Sequence, residues 1–309
     1  MIAQEHKKIY PQLELIGSMV GKTPLLRLHS FEKSEKIAIH MKAEWQQFGG
    51  SVKSRPAFNI VKEAYLSGQL GSGSRILDAS SGNTAIAYAS IAAKIGMGLT
   101  ICLPENVRKS RITLLKALGA EIKFSSPFGG TDEAQEMARN LAESQPLRYY
   151  YADQYSNENN WKAHYDHTAN EIWDQTNGQI THFVCGLGTT GSITGTSRRL
   201  KELNPNIKVI ALQPDSGLHI MEGWKHLPSC HIPAIYDPFI IDQEIHITSE
   251  ETIEWIKAAA KFEGLILSPS SAANLAGASK VADQYHKGVI VSLFPDSGDK
   301  YLDFIQDWI

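Results

Sequence analysis

Cysteine is scarce. The 309 residues contain three, Cys102, Cys185 and Cys230, and no two of them form a C-x-x-C pair. That spacing excludes a disulfide framework and a cysteine zinc cage, and it fits the free thiols of a reducing cytosol. No metal centre is expected. Long hydrophobic runs are missing too: nothing approaches the roughly 18–20 apolar residues that cross a bilayer. The opening "MIAQEHKKIYPQ" lacks the apolar centre of a signal peptide. The expectation is a cytoplasmic, soluble protein with no membrane partner. An excess of one charge is also absent. Lys and Arg number 30 against 33 Asp and Glu, a formal net charge of −3. With no lysine–arginine stripe, a nucleic-acid partner is excluded.

What is present is ordinary globular material. Hydrophobic residues make up 42% and charged residues 20%, enough for one large domain or two modest ones. Short apolar runs alternate with helix-length amphipathic segments. "KIAIHMKAE" reads as a strand, followed by the helix "SVKSRPAFNIVKEAYLSG", closed by Gly68. The same alternation recurs in "SRILDAS" and "TAIAYASIAAKIG", "LTICLP" and "VRKSRITLLKALGA", "EIKFSS" and "TDEAQEMARNLAES". Farther on, "NWKAHYDHTANEIWDQT" is helix-like, "THFVCG" leads into "SITGTSRRLKELN", and "KVIALQP" into a long irregular stretch. Repeated β–α alternation predicts parallel sheets covered by helices on both faces. There are too many strands for one sheet, so the expected architecture is two doubly wound α/β domains facing a cleft.

In such folds ligands gather beyond the carboxyl ends of the strands. Three loops there have unusual composition. "GLGTTGS" (186–192) offers glycines that let a ligand approach the backbone, hydroxyls on Thr189, Thr190 and Ser192, and a following helix whose free N–H groups favour an anion. It lacks the lysine of a nucleotide-binding P-loop. Gly186, Gly188 and Gly191 satisfy the loose G-x-G-x-x-G pattern, but the acidic residue about 20 positions on is missing. A glycine-rich turn that merely packs tightly is the competing reading. "SSGNT" (80–84) also opens a helix, and there an N-capping cluster is the plain alternative. "GGSVKSR" carries Lys53, which is either a solvated lysine or a Schiff-base lysine carried into a cleft.

Taken together, the motifs resemble a known family. "GKTPLLRL", "GGSVKSRPA", "SSGNTA", "DQYSNENN", "GLGTTGSITG" and "FPDSGDKYL" follow in the order found in fold-type II pyridoxal-phosphate enzymes of the cysteine synthase family. The pattern is most similar to the cysteine synthase B branch and covers essentially the whole chain.

The resemblance implies a smaller mobile domain over residues 46–155 and a larger one over 1–45 and 156–309, with pyridoxal 5'-phosphate between them. Lys53 would bind the cofactor as a Schiff base and serve as the base at the substrate Cα. Asn83 would meet the cofactor's phenolic oxygen. Gly188, Thr189, Thr190, Gly191 and Ser192 would hold its phosphate. Ser270 would face the pyridine nitrogen, with Ser271 the alternative because the two are adjacent. Ser80, Ser81, Gly82, Thr84 and Gln154 would receive the substrate carboxylate. Gly223 and Lys225, in "MEGWKHLPSCHIP", would lie near the substrate, Lys225 as a cation for an anionic leaving group or nucleophile.

The implied reaction is β-replacement: an activated serine, O-acetylserine or O-phosphoserine, is eliminated to an aminoacrylate. Sulfide or thiosulfate then attacks, giving L-cysteine or S-sulfocysteine. The substrate amino acid and the sulfur donor are the implied partners, and the assembly a homodimer. Several positions depart from the family pattern: Gln47, Phe48, Ser54, Ala85, Glu158, Pro269 and Ala272. Two alternatives therefore stay open, a serine/threonine dehydratase-like eliminase and a catalytically silent homologue that binds a partner protein.

Overall fold

The computed structural model describes residues 2–71 and 73–306. In chain order the strands are β1 (Leu25–Arg27), β2 (Ile37–Ala43), β3 (Arg75–Ala79), β4 (Gly98–Pro104) and β5 (Glu121–Ser125). They continue with β6 (Tyr149–Tyr151), β7 (His182–Gly186), β8 (Lys208–Pro214), β9 (Gln243–Ile247) and β10 (Gly288–Phe294). The helices are α1 (Ile2–Met19), α2 (Ser54–Leu66), α3 (Asn83–Ile95), α4 (Lys109–Ala117), α5 (Gly130–Ser144) and α6 (Glu158–Ala163). After a π-helical turn at His164–Thr168 come α7 (Ala169–Gln175), α8 (Gly191–Leu203), α9 (Ser249–Glu263), α10 (Pro269–Gln284) and α11 (Leu302–Ile305).

Two units result. The first comprises Met1–Gly21 and Lys53–Asn160, and the second Lys22–Val52 and Trp161–Ile309. The first holds a four-stranded, all-parallel sheet in the order β5-β4-β3-β6. Its central strands read as continuous apolar runs because both faces are covered, as parallel sheets require. Leu77, Ala79 and Cys102 pack there against Ala134 and Ala138 of α5. The second unit holds six strands in the order β1-β2-β10-β7-β8-β9. All pairs are parallel except β1 with β2. Residues 288–294 of β10 pair in register with 37–43 of β2. Helix α10, buried along nearly its whole length, lies against β10 and β7. Two parallel α/β sheets are therefore what the alternation in the sequence anticipates.

Three local features differ from the sequence reading. The polar opening is a helix: Ile9, Leu13 and Ile16 are spaced to bury one face, although Pro11 lies inside α1 and masks the pattern. Helix α1 packs on α2 and α3. Residues 1–21 therefore group with the first unit rather than with the larger domain. The stretch after "KVIALQP" contains β9, and "YYY" is a short strand. Both escape the sequence reading because five and three residues are too few for a clear alternation.

Candidate active site

In the first unit, Lys53 stands at the N-cap position of α2 with helical dihedrals, half-buried. Asn83 opens α3, and α2 and α3 pack on each other. The Lys53 amine thus rises from a helix start, where the free N–H groups of the first turn disfavour a cation. Strand β3 delivers its chain into Ser80, Ser81 and Gly82, all partly exposed at the start of α3. The Ser80 hydroxyl accepts from the Gly82 N–H at 3.3 Å. The N-cap residue of α3 is Gly82, which supplies no side-chain cap. The first-turn donors of α3 suit an anion.

Gln154 is held on every side. Its side-chain oxygen accepts from the Thr84 hydroxyl at 2.7 Å, and its amide donates to the Ala79 carbonyl at 3.3 Å. Its own carbonyl accepts from Asn160 Nδ2 at 2.6 Å. Its backbone amide lies near enough to the Asp78 carboxyl to favour the charged form. The structure thus brings Gln154 onto the Ser80–Thr84 loop, 70 residues away in sequence.

Asp78 itself escapes the sequence reading. Burial pushes its carboxyl well above the usual carboxylate range, and the nearby Asp153 adds to this, against the amides of Ala79 and Gln154 that pull it down. Oδ2 of Asp78 and the hydroxyl of Tyr88 are both buried without a hydrogen-bond partner. The available signal was a carboxylate inside the apolar run "RILDAS".

In the second unit, β7 runs into Leu187–Thr190 and then α8. Thr189, Thr190 and Ser192 are buried. Thr190 adopts φ 67°, a left-handed conformation rare outside glycine, and its hydroxyl is buried with no hydrogen-bond partner. Such an atom is costly unless a ligand satisfies it. Gly191 begins α8, and its backbone N–H belongs to the unpaired first turn. The glycines, however, divide in role. A Cβ on Gly188 would collide with the Gly223 carbonyl oxygen, and one on Gly186 with the Trp224 ring. For these two, tight packing is itself a reason for glycine.

The segment that meets them is Met221–Lys225. Gly223 adopts φ 86°, Trp224 is buried in the core, and the Lys225 N–H donates to the Leu187 carbonyl at 2.7 Å. The stretch is therefore fastened to the loop, while the Lys225 side chain is half-buried. From beneath, Asn274 of α10 accepts the Gly186 N–H at 2.9 Å and donates to the Leu293 carbonyl at 2.9 Å.

The two serines at the start of α10 are also told apart. Ser268 is the N-cap, accepting from the Ser271 N–H at 3.2 Å. The Ser271 hydroxyl donates to the Asp296 carbonyl at 2.8 Å and accepts from Ser268. Ser270 has looser bonds, 3.2 Å to Ser268 and 3.5 Å to Asp296 Oδ1. Of the pair, Ser270 is the one with hydrogen-bonding capacity to give a ligand.

The motif "GKTPLLRL" is structural. Buried Lys42 donates to the Thr23 carbonyl at 2.9 Å and pairs with Glu171 at 2.7 Å, while the Thr23 hydroxyl donates to Glu44 at 2.7 Å. No group of His, Cys, Asp and Glu able to hold a metal ion occurs among the described residues.

The profile of the family described as "Pyridoxal-phosphate dependent enzyme" matches residues 16–296. The chain belongs to this family. It is 42% identical over 306 residues to the cysteine synthase of Aquifex aeolicus, covering 96% of this chain and 94% of that one. It is 36% identical over 291 residues to the cysteine synthase B of Pseudomonas aeruginosa, covering 94% and 96%. The crystal structure of a cysteine synthase from Entamoeba histolytica superposes with a TM-score of 0.88 at 31% identity, covering 94% of this chain and 89% of that one.

Pyridoxal phosphate is the cofactor of this enzyme family, and the residues present fit it. The unpartnered Thr190 hydroxyl, the uncapped start of α8 and the hydroxyls of Thr189 and Ser192 form an uncharged cradle with donors for a phosphate monoester. In the other unit, Lys53 is a half-buried amine at a helix start, the group type that a Schiff-base cofactor requires.

Proposed function

We propose that this pyridoxal-phosphate dependent enzyme makes L-cysteine by β-replacement on an activated serine. The observation that carries the reading is the Gln154–Thr84–Ser80 nest, built on the same unit as Lys53. It offers an amino-acid carboxylate several donors at the head of α3. The close resemblance to cysteine synthases supports the sulfur chemistry.

When bound, pyridoxal phosphate draws electrons from the substrate Cα and so acidifies its proton. Lys53 takes that proton and later returns it. Ser80, Ser81, Gly82, Thr84 and Gln154 hold the carboxylate, fixing which Cα substituent faces the lysine. Asn83 would donate to the cofactor's phenolic oxygen, and Gly188–Ser192 would retain its phosphate. Ser270, a hydroxyl rather than a carboxylate, would face the ring nitrogen. That gives a weaker electron sink, suited to loss of a β-substituent rather than transamination. Overall the Cβ–O bond breaks and a Cβ–S bond forms. With O-acetylserine and sulfide, cysteine and acetate leave in equal amounts.

Lys225 and Gly223 border the phosphate loop, and Lys225 is the cation we assign to an anionic nucleophile or leaving group. We further infer a cytoplasmic homodimer, a location in keeping with three cysteines that form no disulfide.

The test is a matrix of O-acetylserine and O-phosphoserine against sulfide and thiosulfate, reading cysteine, S-sulfocysteine and pyruvate directly. Cysteine or S-sulfocysteine as the dominant product is expected. Pyruvate formed at the same rate with or without a sulfur donor would make the enzyme an eliminase. No turnover in any cell of the matrix would favour a silent, partner-binding homologue.

A further inference from the structure

We propose that His164 and Thr168 are positioning residues that orient the Ser192 hydroxyl toward the cofactor phosphate. This rests on the reading that Gly188–Ser192 hold that phosphate.

The helical run through "AHYDHT" is interrupted by a π-turn at His164–Thr168. Such turns are rare and gather at functional sites. Both residues are fully buried. His164 Nδ1 lies 2.9 Å from the Thr168 hydroxyl, and Nε2 lies 3.2 Å from the Ser192 hydroxyl. The approach of this turn to α8 depends on Gly195, where a Cβ would strike the Trp161 carbonyl oxygen and the His164 Cβ. The chain therefore spends a bulge and a helical glycine on bringing an imidazole under the phosphate loop.

The direction of the relay follows from counting protons. A phosphate oxygen only accepts, and a serine hydroxyl has one proton. For Ser192 to give that proton to phosphate, its oxygen must accept its bond with His164, so Nε2 must carry hydrogen. A neutral imidazole then has a bare Nδ1, which accepts from Thr168. Thr168, His164 and Ser192 thus point one after another at the anion, without placing a second charge in the core. In the reverse tautomer Ser192 would spend its proton on His164 and turn a lone pair to the phosphate.

Four variants and two ligands test this. Apo-enzyme is titrated with pyridoxal phosphate and with pyridoxal, which lacks the phosphate, and apo melting is recorded alongside. Ser192→Ala, His164→Leu and Thr168→Val should each weaken pyridoxal phosphate binding relative to pyridoxal, by about 10-fold or more for the first two. His164→Gln, whose amide can still donate to Ser192, should recover most of the loss. In wild-type holoenzyme, nitrogen-15 NMR should find His164 as the Nε2–H tautomer.

If Ser192→Ala weakens the phosphate ligand selectively and neither His164→Leu nor Thr168→Val does, the relay is overturned while the phosphate loop stands. If Ser192→Ala has no selective effect, the reading of the loop itself fails. Equal losses for both ligands, or an Nδ1–H tautomer, would leave His164 a packing residue and overturn the proposal.

Discussion

Lys53 is the residue on which the proposed chemistry turns, and it stands only half-buried at the head of α2. Lys53→Ala should therefore leave the melting curve of the apo-enzyme nearly unchanged while abolishing turnover. The purified variant should carry no covalently attached cofactor and lose its absorbance band near the visible edge. Wild-type-like activity would end the assignment.

Asp78 makes a different kind of demand. Because burial raises its carboxyl, the folded chain keeps a proton that the unfolded chain releases above about pH 4. Stability from this group is complete below that pH and is lost as pH rises through the folded value. Asp78→Asn removes the dependence and retains an oxygen to accept from the Ala79 N–H. The variant should melt higher than wild type, by a margin wider at pH 8 than at pH 5. A margin that shrinks toward pH 8 would mean the carboxyl is ionised in the fold.

Lys225 bears on substrate choice. A charge-assisted hydrogen bond contributes roughly 1.5–3 kcal/mol. Lys225→Ala should thus lower kcat/KM about 10- to 150-fold with thiosulfate or O-phosphoserine. It should spare O-acetylserine with sulfide, and the loss should shrink at high salt. Equal loss across all substrate pairs would leave Lys225 without a part in selectivity.

At the scale of elements, the loop after β7 that we assign to the phosphate is a supported structure rather than a free coil. The Met221–Lys225 segment covers it on one side, and Asn274 of α10 grips its root. Gly188→Ala should for that reason lower the apo melting temperature as well as cofactor retention, since the opposing Gly223 carbonyl is backbone and cannot rotate away. Differential scanning of apo- and holo-forms would measure both. An unchanged apo midpoint would mean that the glycine serves the ligand alone.

Much at this scale is legible in the sequence. The β–α alternation anticipates the parallel strands, because strands buried on both faces read as apolar runs. The loops anticipate their own positions, because glycine and hydroxyl residues between a strand and a helix have few other uses. What stays hidden are contacts set by distant segments. Nothing in "DQYS" reports that Gln154 will bond the Thr84 hydroxyl and the Ala79 carbonyl, and nothing in "AHYDHT" reports that Gly195 will let His164 reach Ser192. The role of Trp224 against Gly186 is likewise a property of packing and not of either local pattern.

For the whole molecule, the proposed dimer predicts about twice the 34.1 kDa chain mass in light scattering at working concentration. A single-chain mass across a dilution series would refute it. The larger sheet carries a further consequence. Its strand β10 sits between β2 and β7, so residues 288–294 join the neighbours of 37–43 to those of 182–186. The centre of that sheet is thus the part of it made last. While the ribosome is still translating, β2 and β7 have the pairing edges that β10 will fill and no strand to fill them, and contacts of such sequence separation form slowly. A stalled or prematurely terminated nascent chain would therefore present two open apolar edges to chaperones and proteases. Quality control of this enzyme should fall mainly in the interval before residues 288–294 emerge.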